Sequence, residues 1–560
     1  MMQVNRSTDY GEILQPRQFP NVTLTDCIFQ HLRKHIDAVA EKPWLIDVCT
    51  GKKVLFGEVE ELAKKVASAL ACRGFAKGEI LYFVTYDIVD MAILQLAVWL
   101  LGGATRGSFQ TEEPEKFRRE MNEVHCKFVA VDSETVLAVK KAICLCDTEC
   151  TIINVGDANI EGTLRFSDLT KDDGLAFPEN IGIDLENDTL LISNTSGTTG
   201  MPKGVMHTHK SFVSLMSCCD ELSAENGHDE SILITANSFA VSNAWTTSVY
   251  LATGNTVYCI GRYRKEEFIY HVIKFRPRKL FLYPYISGWL ARSPELQKHD
   301  FSFIKGMTIA GSVIDPTTIR LLQTAFPNSV TNMAYGQTEC LKISLTLNSE
   351  SCQKSLIGYS PDGEEMVTSG TLFPLIQAKI LDIETKKLLG CNKLGKLYIK
   401  GLHLMKGYFV EKGKQPNRSC FDKEGWFDTG DVAFFDSIGQ LFVRERVSFI
   451  FKYFMHFVSP SEIEAILQQH PAVQMACVIG VPNRETTNLA KALVVLKDRE
   501  TTTEEELLKL VADKLPFYKQ LHGGLQFVDS LPENKGRKLD RVAIVEIFPR
   551  EYVFYLLSIK

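Results

Sequence analysis

Hydrophobic positions along this chain switch between the helical and the strand period up to about residue 330. Residues 58–73 carry apolar side chains three and four positions apart and are followed by Gly74, which predicts an amphipathic helix with a glycine C-cap. Residues 80–84 are apolar throughout and predict a buried strand. The apolar run at 91–101 is about half the length that crosses a bilayer, so it predicts a buried helix. This alternation favours parallel α/β layers.

The pattern changes after that region. Residues 378–382 and 395–400 alternate with a period of two, which predicts short strands of a smaller β unit. A domain boundary is expected just after Val443. The α/β prediction therefore concerns a large N-terminal domain that includes this β unit.

The remaining chain predicts a compact α+β unit. Ser459 as N-cap, Pro460 at the first helical position and Glu462 two residues later favour a helix start with a capping box. A strand, a helix and a further strand are predicted at residues 473–481, 504–515 and 526–528. The division that follows is an N-terminal domain at 1–443, a hinge at 444–448 and a small mobile domain at 449–560, a plausible size for an independent unit.

Composition narrows the class of protein. The chain has 560 residues, 45% hydrophobic and 23% charged, which is typical of a soluble globular protein with more than one domain. With a net charge of −6, the chain lacks the positive electrostatic field that would attract nucleic acid. Fifteen cysteines, an odd number spread along the chain, favour reduced thiols in a cytosol-like compartment.

Neither end of the sequence resembles a common targeting signal. Residues 1–17 are polar and lack the apolar core of a signal peptide. The chain ends Leu-Ser-Ile-Lys560, which differs from a Ser-Lys-Leu peroxisomal signal. We expect a cytoplasmic protein without a transmembrane segment, with a peroxisomal location as the alternative; the oligomeric state stays open.

The segment 193–205, SNTSGTTGMPKGV, follows three apolar residues and concentrates hydroxyls, glycines and one lysine. Glycines let backbone N–H groups approach phosphate oxygens, the hydroxyls donate further hydrogen bonds, and Lys203 supplies charge. It is not a Walker A loop, because Pro202 precedes the lysine and Gly204 follows it. A polar turn between two strands is the alternative, and the composition favours a phosphate-binding loop.

Four further motifs follow in order: YGQTE at 335–339, GWFDTGD at 425–431, Glu445-Arg446, and NKGRKLD at 534–540. Together with the phosphate loop they resemble the adenylate-forming superfamily, which includes acyl-CoA and aryl-CoA synthetases, luciferases and adenylation domains. The 4-coumarate–CoA ligase and luciferase branch is the most similar. The resemblance covers nearly the whole chain and implies a mobile C-terminal domain.

The resemblance implies use of ATP, Mg²⁺ and CoA. Thr338 would contact the α-phosphate, and Glu339 would bind Mg²⁺, which prefers oxygen ligands. Residues that would hold the β- and γ-phosphates are Thr195, Ser196, Gly197, Thr198, Thr199, Gly200 and Lys203.

Other roles follow from the same resemblance. Tyr335, with Gly336 beside it, would stack on adenine, and Asp431 would accept the ribose hydroxyls. Arg446 would assist Asp431, and Lys538 would bridge the reacting carboxylate and the α-phosphate. Singly, each of these residues is more often ordinary surface, so the prediction rests on their order.

The pocket for the acid is expected at Ala240, Asn243, Ala310, Gly311 and Ala334. Ala240 stands where luciferases carry histidine, which favours an open apolar cavity. A medium- or long-chain fatty acid is therefore predicted first and an aryl acid such as a cinnamate second.

Two departures from the family pattern concern thioester formation, which follows adenylation in the family's reaction. Ser448 stands where relatives often carry a hinge lysine or aspartate, and Met455 stands where they carry glycine. Lys452 begins the loop that lines the path of the CoA thiol in those relatives. A side chain at Met455 is expected to narrow that path, so adenylation is supported better than thioester formation.

The sequence gives less support to a structural zinc site, to catalytic histidines or to a reactive cysteine. The thiols of Cys144, Cys146 and Cys150 lack the ligand number and histidine pair of a structural zinc site. His207 and His209 are expected to be structural. Cys218-Cys219 has no base partner visible in the sequence.

The prediction is an AMP-forming carboxylic acid–CoA ligase. Two rivals remain: a luciferase-type oxygenase, which Ala240 disfavours, and a non-catalytic ATP-binding relative, which the intact nucleotide motifs disfavour.

Overall fold

The computed structural model describes residues 20–146, 149–178, 180–195, 203–223, 228–235, 240–347, 356–454, 456–483, 485–497, 500–533 and 539–547. Ser196 to Gly200 of the phosphate loop, Met455 and Lys538 lie outside the described residues.

Two mixed sheets form the large N-terminal part. The first is parallel at its centre and has antiparallel strands at its edges. Its strands, in spatial order, are Thr371–Leu372, Cys340–Leu345, Val330–Gln337, Gly306–Ala310, Lys279–Leu282, Ser231–Thr235, Thr256–Ile260, Pro43–Asp47 and Lys53–Leu55.

The second sheet has the same character, with parallel pairing in its middle and antiparallel pairing where the phosphate loop begins and ends. Its strands, in spatial order, are Gly407–Tyr408, Gly204–Thr208, Thr189–Asn194, Ala104–Gly107, Ile80–Val84, Phe128–Val131, Thr151–Asn154 and Leu164–Arg165. The α/β prediction is confirmed.

Helices connect these strands and cover the sheets. The predicted amphipathic helix spans Phe56–Ala71, and Gly74 follows it in a left-handed conformation, with φ +84°. The other α-helices of this part are Leu24–Arg33, Ile36–Val39, Ile88–Leu100, Pro114–Glu123, Val136–Ile143, Phe166–Leu169, His209–Ser223, Val241–Ala252, Lys265–Phe275, Pro284–Ala291 and Pro316–Ala325, with a 3₁₀ turn at Pro294–Gln297.

The apolar helix Ile88–Leu100 lies between the two sheets in the main core. Its Trp99 is 1% exposed and donates an indole hydrogen bond to the carbonyl of Leu190, 2.9 Å away. In the part of the chain that the structure describes, no helix has the length and apolar character to span a bilayer.

The predicted β unit is a four-stranded antiparallel sheet of Ile376–Leu381, Gly395–Gly401, Phe427–Phe435 and Leu441–Arg446. A two-stranded ribbon, Ile357–Tyr359 and Glu365–Val367, lies before it in the chain. The last strand of the sheet continues to Arg446, three residues beyond the predicted boundary at Val443.

The C-terminal unit has a sheet and helices of its own. The strands Phe451–Tyr453, His456–Val458, Val473–Asn483, Thr487–Leu496 and Leu525–Phe527 form the sheet. The helices are Pro460–Leu467, Glu504–Lys514 and Arg541–Ile547, with a 3₁₀ turn at Phe517–Lys519. The domain limits at 443 and 449 stay predictions.

The predicted capping box at Ser459 is wrong. Ser459 is the N-cap residue of the helix Pro460–Leu467, but its hydroxyl donates to Glu445 at 2.7 Å and makes no capping bond. The Glu462 side chain pairs with Lys519. A tertiary hydrogen bond to Glu445 and an ion pair with Lys519 thus replace the local hydrogen bonds that the sequence favours.

Candidate functional site

The site is built around the hairpin of Val330–Gln337 and Cys340–Leu345, at the end of the parallel run of the first sheet. The register shifts between Tyr335 and Gln337, and Gly336 lies in this irregularity. A Cβ at Gly336 would approach the Leu341 carbonyl oxygen to 1.8 Å, so only glycine fits.

One group of polar side chains surrounds Asp431, which is 5% exposed. Tyr335 donates its hydroxyl to the carboxylate, Gln337 donates its amide at 2.6 Å, and the Arg446 guanidinium lies at 2.9 Å. Burial raises the pKa of the Asp431 carboxyl, and the charge of Arg446 opposes that rise. These residues come from three segments of the chain and surround one buried carboxylate.

A second group joins Glu339 to Lys203 through Tyr408. The Tyr408 hydroxyl donates to Glu339 Oε1 at 2.7 Å, and the Lys203 ammonium lies 4.8 Å from the centre of the tyrosine ring. The Tyr408 backbone pairs with Val205, so the tyrosine lies on a strand that is hydrogen-bonded to the strand that follows Lys203. Burial, followed by the negative charge of Glu339, raises the pKa of the Tyr408 hydroxyl.

The residues present fit a magnesium–nucleotide complex. Mg²⁺ in proteins is commonly held by one or two carboxylates together with substrate phosphates and water. Glu339, which is 9% exposed, would supply one hard oxygen ligand, and Lys203, on the other side of the Tyr408 ring, would suit a phosphate. Among the described residues no three histidine, cysteine or acidic side chains form a cage that could hold a metal ion.

Two buried histidines fix the backbone on either side of Glu339. His207 Nε2 donates to the Thr338 carbonyl and His403 Nε2 donates to the Lys342 carbonyl, each at 2.8 Å. Burial lowers the pKa of both imidazoles to about 4, so both are neutral at physiological pH. His207 is thus a structural anchor of the site, and His209, whose Nδ1 accepts from the Leu24 N–H at 3.1 Å, anchors the first helix.

The two ends of the phosphate loop are joined. The Thr195 N–H donates to the Lys203 carbonyl at 2.9 Å, and the Lys203 N–H donates to the Thr195 hydroxyl at 3.1 Å. A Cβ at Gly204 would lie 2.8 Å from the Ile192 side chain, which keeps the two strands close. The two described ends of the loop are therefore held together, and Lys203 lies beside the ring of Tyr408.

The residues predicted for the acid pocket lie on two neighbouring strands and at the start of one helix. Ala310 and Ala334 are register partners on neighbouring parallel strands, and Gly311 follows with φ +106°. Ala240 is the N-cap of the helix Val241–Ala252, and Asn243 in its first turn is 7% exposed.

Lys452 is not part of these groups. Its ammonium pairs with Glu384 at 2.9 Å and lies 4.8 Å from the ring of Phe457. Ser448 is exposed and follows the strand that ends at Arg446.

Three residues of the site are missing from the sequence prediction: Gln337, His403 and Tyr408. Gln337 lies inside the motif at residues 335–339, so that motif could have identified it. The contact between Tyr408 and Glu339 spans 69 residues and that between His403 and Lys342 spans 61, so no local spacing points to them.

Comparison with known proteins gives two family matches. A model described as AMP-binding enzyme matches residues 32–409. A model described as AMP-binding enzyme C-terminal domain matches residues 462–538.

Individual relatives and a solved structure also match long stretches of this chain. The chain is 27% identical over 531 residues to the 4-coumarate–CoA ligase-like 1 of Arabidopsis thaliana, covering 93% of each chain. It is 31% identical over 375 residues to the luciferin 4-monooxygenase of Nipponoluciola cruciata, covering 66% of each. The solved structure of ATP-bound MatB from Rhodopseudomonas palustris is similar in fold, with a TM-score of 0.80 at 21% identity over 94% of this chain and 99% of that one.

Proposed function

The chain belongs to the AMP-binding enzyme family, and we propose that it activates a carboxylic acid with ATP and transfers the acyl group to CoA. The observation that carries this proposal is the convergence on one hairpin of Tyr335, Glu339, Asp431 and Arg446, with Tyr408 joining Lys203 to Glu339. Each of these side chains suits one part of a bound nucleoside triphosphate.

In the first step a carboxylate oxygen attacks the α-phosphorus of ATP, and pyrophosphate leaves. Asp431 accepts hydrogen bonds from the ribose hydroxyls, and the charge of Arg446 favours the ionised form of this carboxylate. Lys203 binds the β- and γ-phosphates, and Lys538 orients the reacting carboxylate. Mg²⁺ bound by Glu339 would neutralise phosphate charge, and positioning supplies most of the remaining rate.

In the second step the CoA thiol attacks the acyl carbonyl, and AMP leaves. Lys452 is proposed to face CoA in this step. Its present pairing with Glu384 must then be exchanged for the new contact, which requires the C-terminal unit to move. The side chain of Met455 is proposed to slow this step.

Two acid classes are proposed. The small side chain of Ala240 favours a fatty acid of medium or long chain. The similarity to a 4-coumarate–CoA ligase-like protein supports an aryl acid.

A panel of fatty and aryl acids tests the proposal by pyrophosphate release with ATP, with and without CoA. We expect pyrophosphate with at least one acid and a thioester when CoA is added. Glu339→Gln, which keeps the size and removes the charge, should lose pyrophosphate release, whereas Glu365→Gln at the exposed ribbon should not. Absence of pyrophosphate with every acid would reject the proposal.

A luciferase-type oxygenase is the second candidate, supported by the 31% identity to a luciferin 4-monooxygenase. Light emission with luciferin and ATP would support it. Ala240 in place of histidine counts against it.

A further inference from the structure

Two buried charged residues lie beside the strands that the phosphate loop joins. Arg106, on the strand Ala104–Gly107, and Glu120, on the helix Pro114–Glu123, are 3% and 1% exposed. The Arg106 guanidinium pairs with Glu123 at 2.9 Å and lies 3.9 Å from the Glu120 carboxylate. Charged side chains are rarely buried, and a buried ion pair often adds no net stability, so its place in the fold calls for another explanation.

Glu120 connects this pair to the residue that directly precedes Thr195 of the loop. The Asn194 amide donates to Glu120 Oε1 at 3.1 Å and to the Gly107 carbonyl at 3.2 Å. Tyr82, which is fully buried, donates its hydroxyl to Glu120 Oε2 at 2.8 Å. Glu120 is therefore fixed by a buried donor on one oxygen and holds Asn194 with the other.

Arg106 lies beside the residue that directly follows Lys203. Asn194 and Gly204 face each other on the two strands that the loop joins. A Cβ on Gly204 would lie 3.8 Å from Arg106 Nη2. The guanidinium also lies 5.3 Å from the centre of the Phe409 ring, and the Phe409 N–H donates to the Gly204 carbonyl at 2.7 Å. The buried pair therefore supports the residues on both sides of the loop.

We propose that Glu120 and Arg106 are positioning residues for ATP. They hold Asn194 and Gly204, and with them Lys203, in the arrangement that binds the phosphates. This inference rests on the proposed function and adds to it two residues that lie outside the sequence motifs. A loop that is already held in one arrangement loses less freedom when a ligand binds, so this support should raise the affinity for ATP and leave that for the acid unchanged.

Titration calorimetry with ATP, together with the Michaelis constants for ATP and for the acid, tests this role. Glu120→Gln removes the negative charge beside Arg106, and Asn194→Ala removes only the side chain that Glu120 holds. Each change should weaken ATP binding by roughly 10-fold or more, since misplacing a positioned group costs up to about 100-fold. The Michaelis constant for the acid should change little.

The double variant separates one shared role from two independent ones. Glu120→Gln and Asn194→Ala alter the same contact, so together they should weaken ATP binding little more than either change alone. If the two losses multiply instead, Glu120 does not act through Asn194 and the inference is overturned.

Glu79→Gln is the matched control. This carboxylate also belongs to buried ion pairs of the same sheet, with Lys127 at 2.8 Å and Lys412 at 2.7 Å, and it directly precedes the strand Ile80–Val84. Urea unfolding should show lower stability for both Glu→Gln variants, because each leaves a cation without its partner. ATP affinity should fall only in Glu120→Gln.

Unchanged ATP affinity in Glu120→Gln and Asn194→Ala, or an equal loss in Glu79→Gln, would overturn the inference. Asn194→Ala leaves the charged residues in place, so it keeps the test decisive if Glu120→Gln fails to fold. A protein that binds ATP but releases no pyrophosphate with any acid would instead reject the proposed function, and the ATP affinities would still decide the role of Glu120.

Discussion

Tyr408 connects two charged residues that belong to different sheets. Its hydroxyl contacts Glu339 on the hairpin of the first sheet, and its ring supports Lys203, which precedes a strand of the second. A carboxylate that must bind a cation benefits from a neighbour that fixes its orientation, because less freedom is then lost on binding. Tyr408 is in this sense a positioning residue.

Tyr408→Phe removes the hydroxyl and keeps the ring beside Lys203. We expect the Mg²⁺ concentration at half-saturation to rise by roughly 10-fold or more, the scale found when a group that orients a metal ligand is lost. The measurement is a Mg²⁺ titration of ATP binding, read by calorimetry. Tyr359→Phe is the control, because that exposed hydroxyl lies 3.4 Å from Glu365. Equal titrations for both variants would contradict the prediction.

Lys538→Ala is expected to affect adenylation alone, because a cation between carboxylate and α-phosphate has no role once pyrophosphate has left. Pyrophosphate release should fall by about 100-fold or more. Conversion of a supplied acyl-adenylate to thioester should be retained. If both half-reactions fall together, the assignment to adenylation is wrong.

At this scale the sequence predicts residues that lie inside compact motifs. Tyr335, Glu339 and Asp431 are recognisable because each lies in a motif that resembles the adenylate-forming superfamily, and the motifs occur in the order found in that superfamily. Tyr408 and His403 are not, because their partners are far along the chain and only the fold brings them together.

Among the elements, the long periodic segments are predicted closely. The helix Phe56–Ala71 and the strand Ile80–Val84 agree with the pattern within two residues, because packing against one core reinforces the local preference. The capping box at Ser459 fails for the opposite reason: Glu445 and Lys519 offer the same side chains stronger, charged partners. Local rules give way where ion pairs link distant elements.

The hairpin that carries Glu339 is fixed by neutral histidines, so its stability depends on pH. The pKa of His207 and of His403 is about 4 in the fold, against about 6.5 for an unperturbed histidine. The unfolded chain therefore binds more protons between these values. The stabilisation is complete above about pH 6.5 and is lost as the pH falls towards 4.

His403→Gln keeps a donor for the Lys342 carbonyl and removes the titration. We expect the loss of unfolding free energy between pH 7 and pH 4.5 to be smaller in this variant, measured by urea unfolding at a series of pH values. His125→Gln is the control, because His125 is an exposed side chain beside Glu411. A pH profile for His403→Gln that matches the unmodified protein would contradict the expectation.

Across the whole molecule, a partly buried ion cluster joins the N-terminal part to the C-terminal unit. Lys519, which is 5% exposed, pairs with Glu462 of its own unit and with Asp362 at 3.1 Å. Arg444 pairs with Asp362 at 3.1 Å and with Glu364. Burial alone would raise the pKa of Asp362, but the charge of Arg444 and the bonds it accepts hold that pKa well below its usual range.

Lys519→Met keeps the length of the side chain and leaves Glu462 without its buried partner. Removing one member of a buried ion pair costs about 3–5 kcal/mol, so contact between the two units should weaken. Amide hydrogen exchange over the strand Leu441–Arg446 and the helix Pro460–Leu467 should become faster. Lys514→Met, on the exposed face of the same unit, should leave exchange unchanged; equal exchange in both variants would refute the role of the cluster.

The strand that ends at Arg446 carries one further consequence. Glu445 is bound by Ser459 and Ser461 of the C-terminal unit, while the next residue, Arg446, pairs with Asp431. A nucleotide that took up the hydrogen bonds of Asp431 would change the partner of Arg446, which is adjacent in the chain to the residue that contacts that unit. We therefore expect nucleotide affinity and the orientation of the C-terminal unit to be coupled, with the same coupling free energy in both directions.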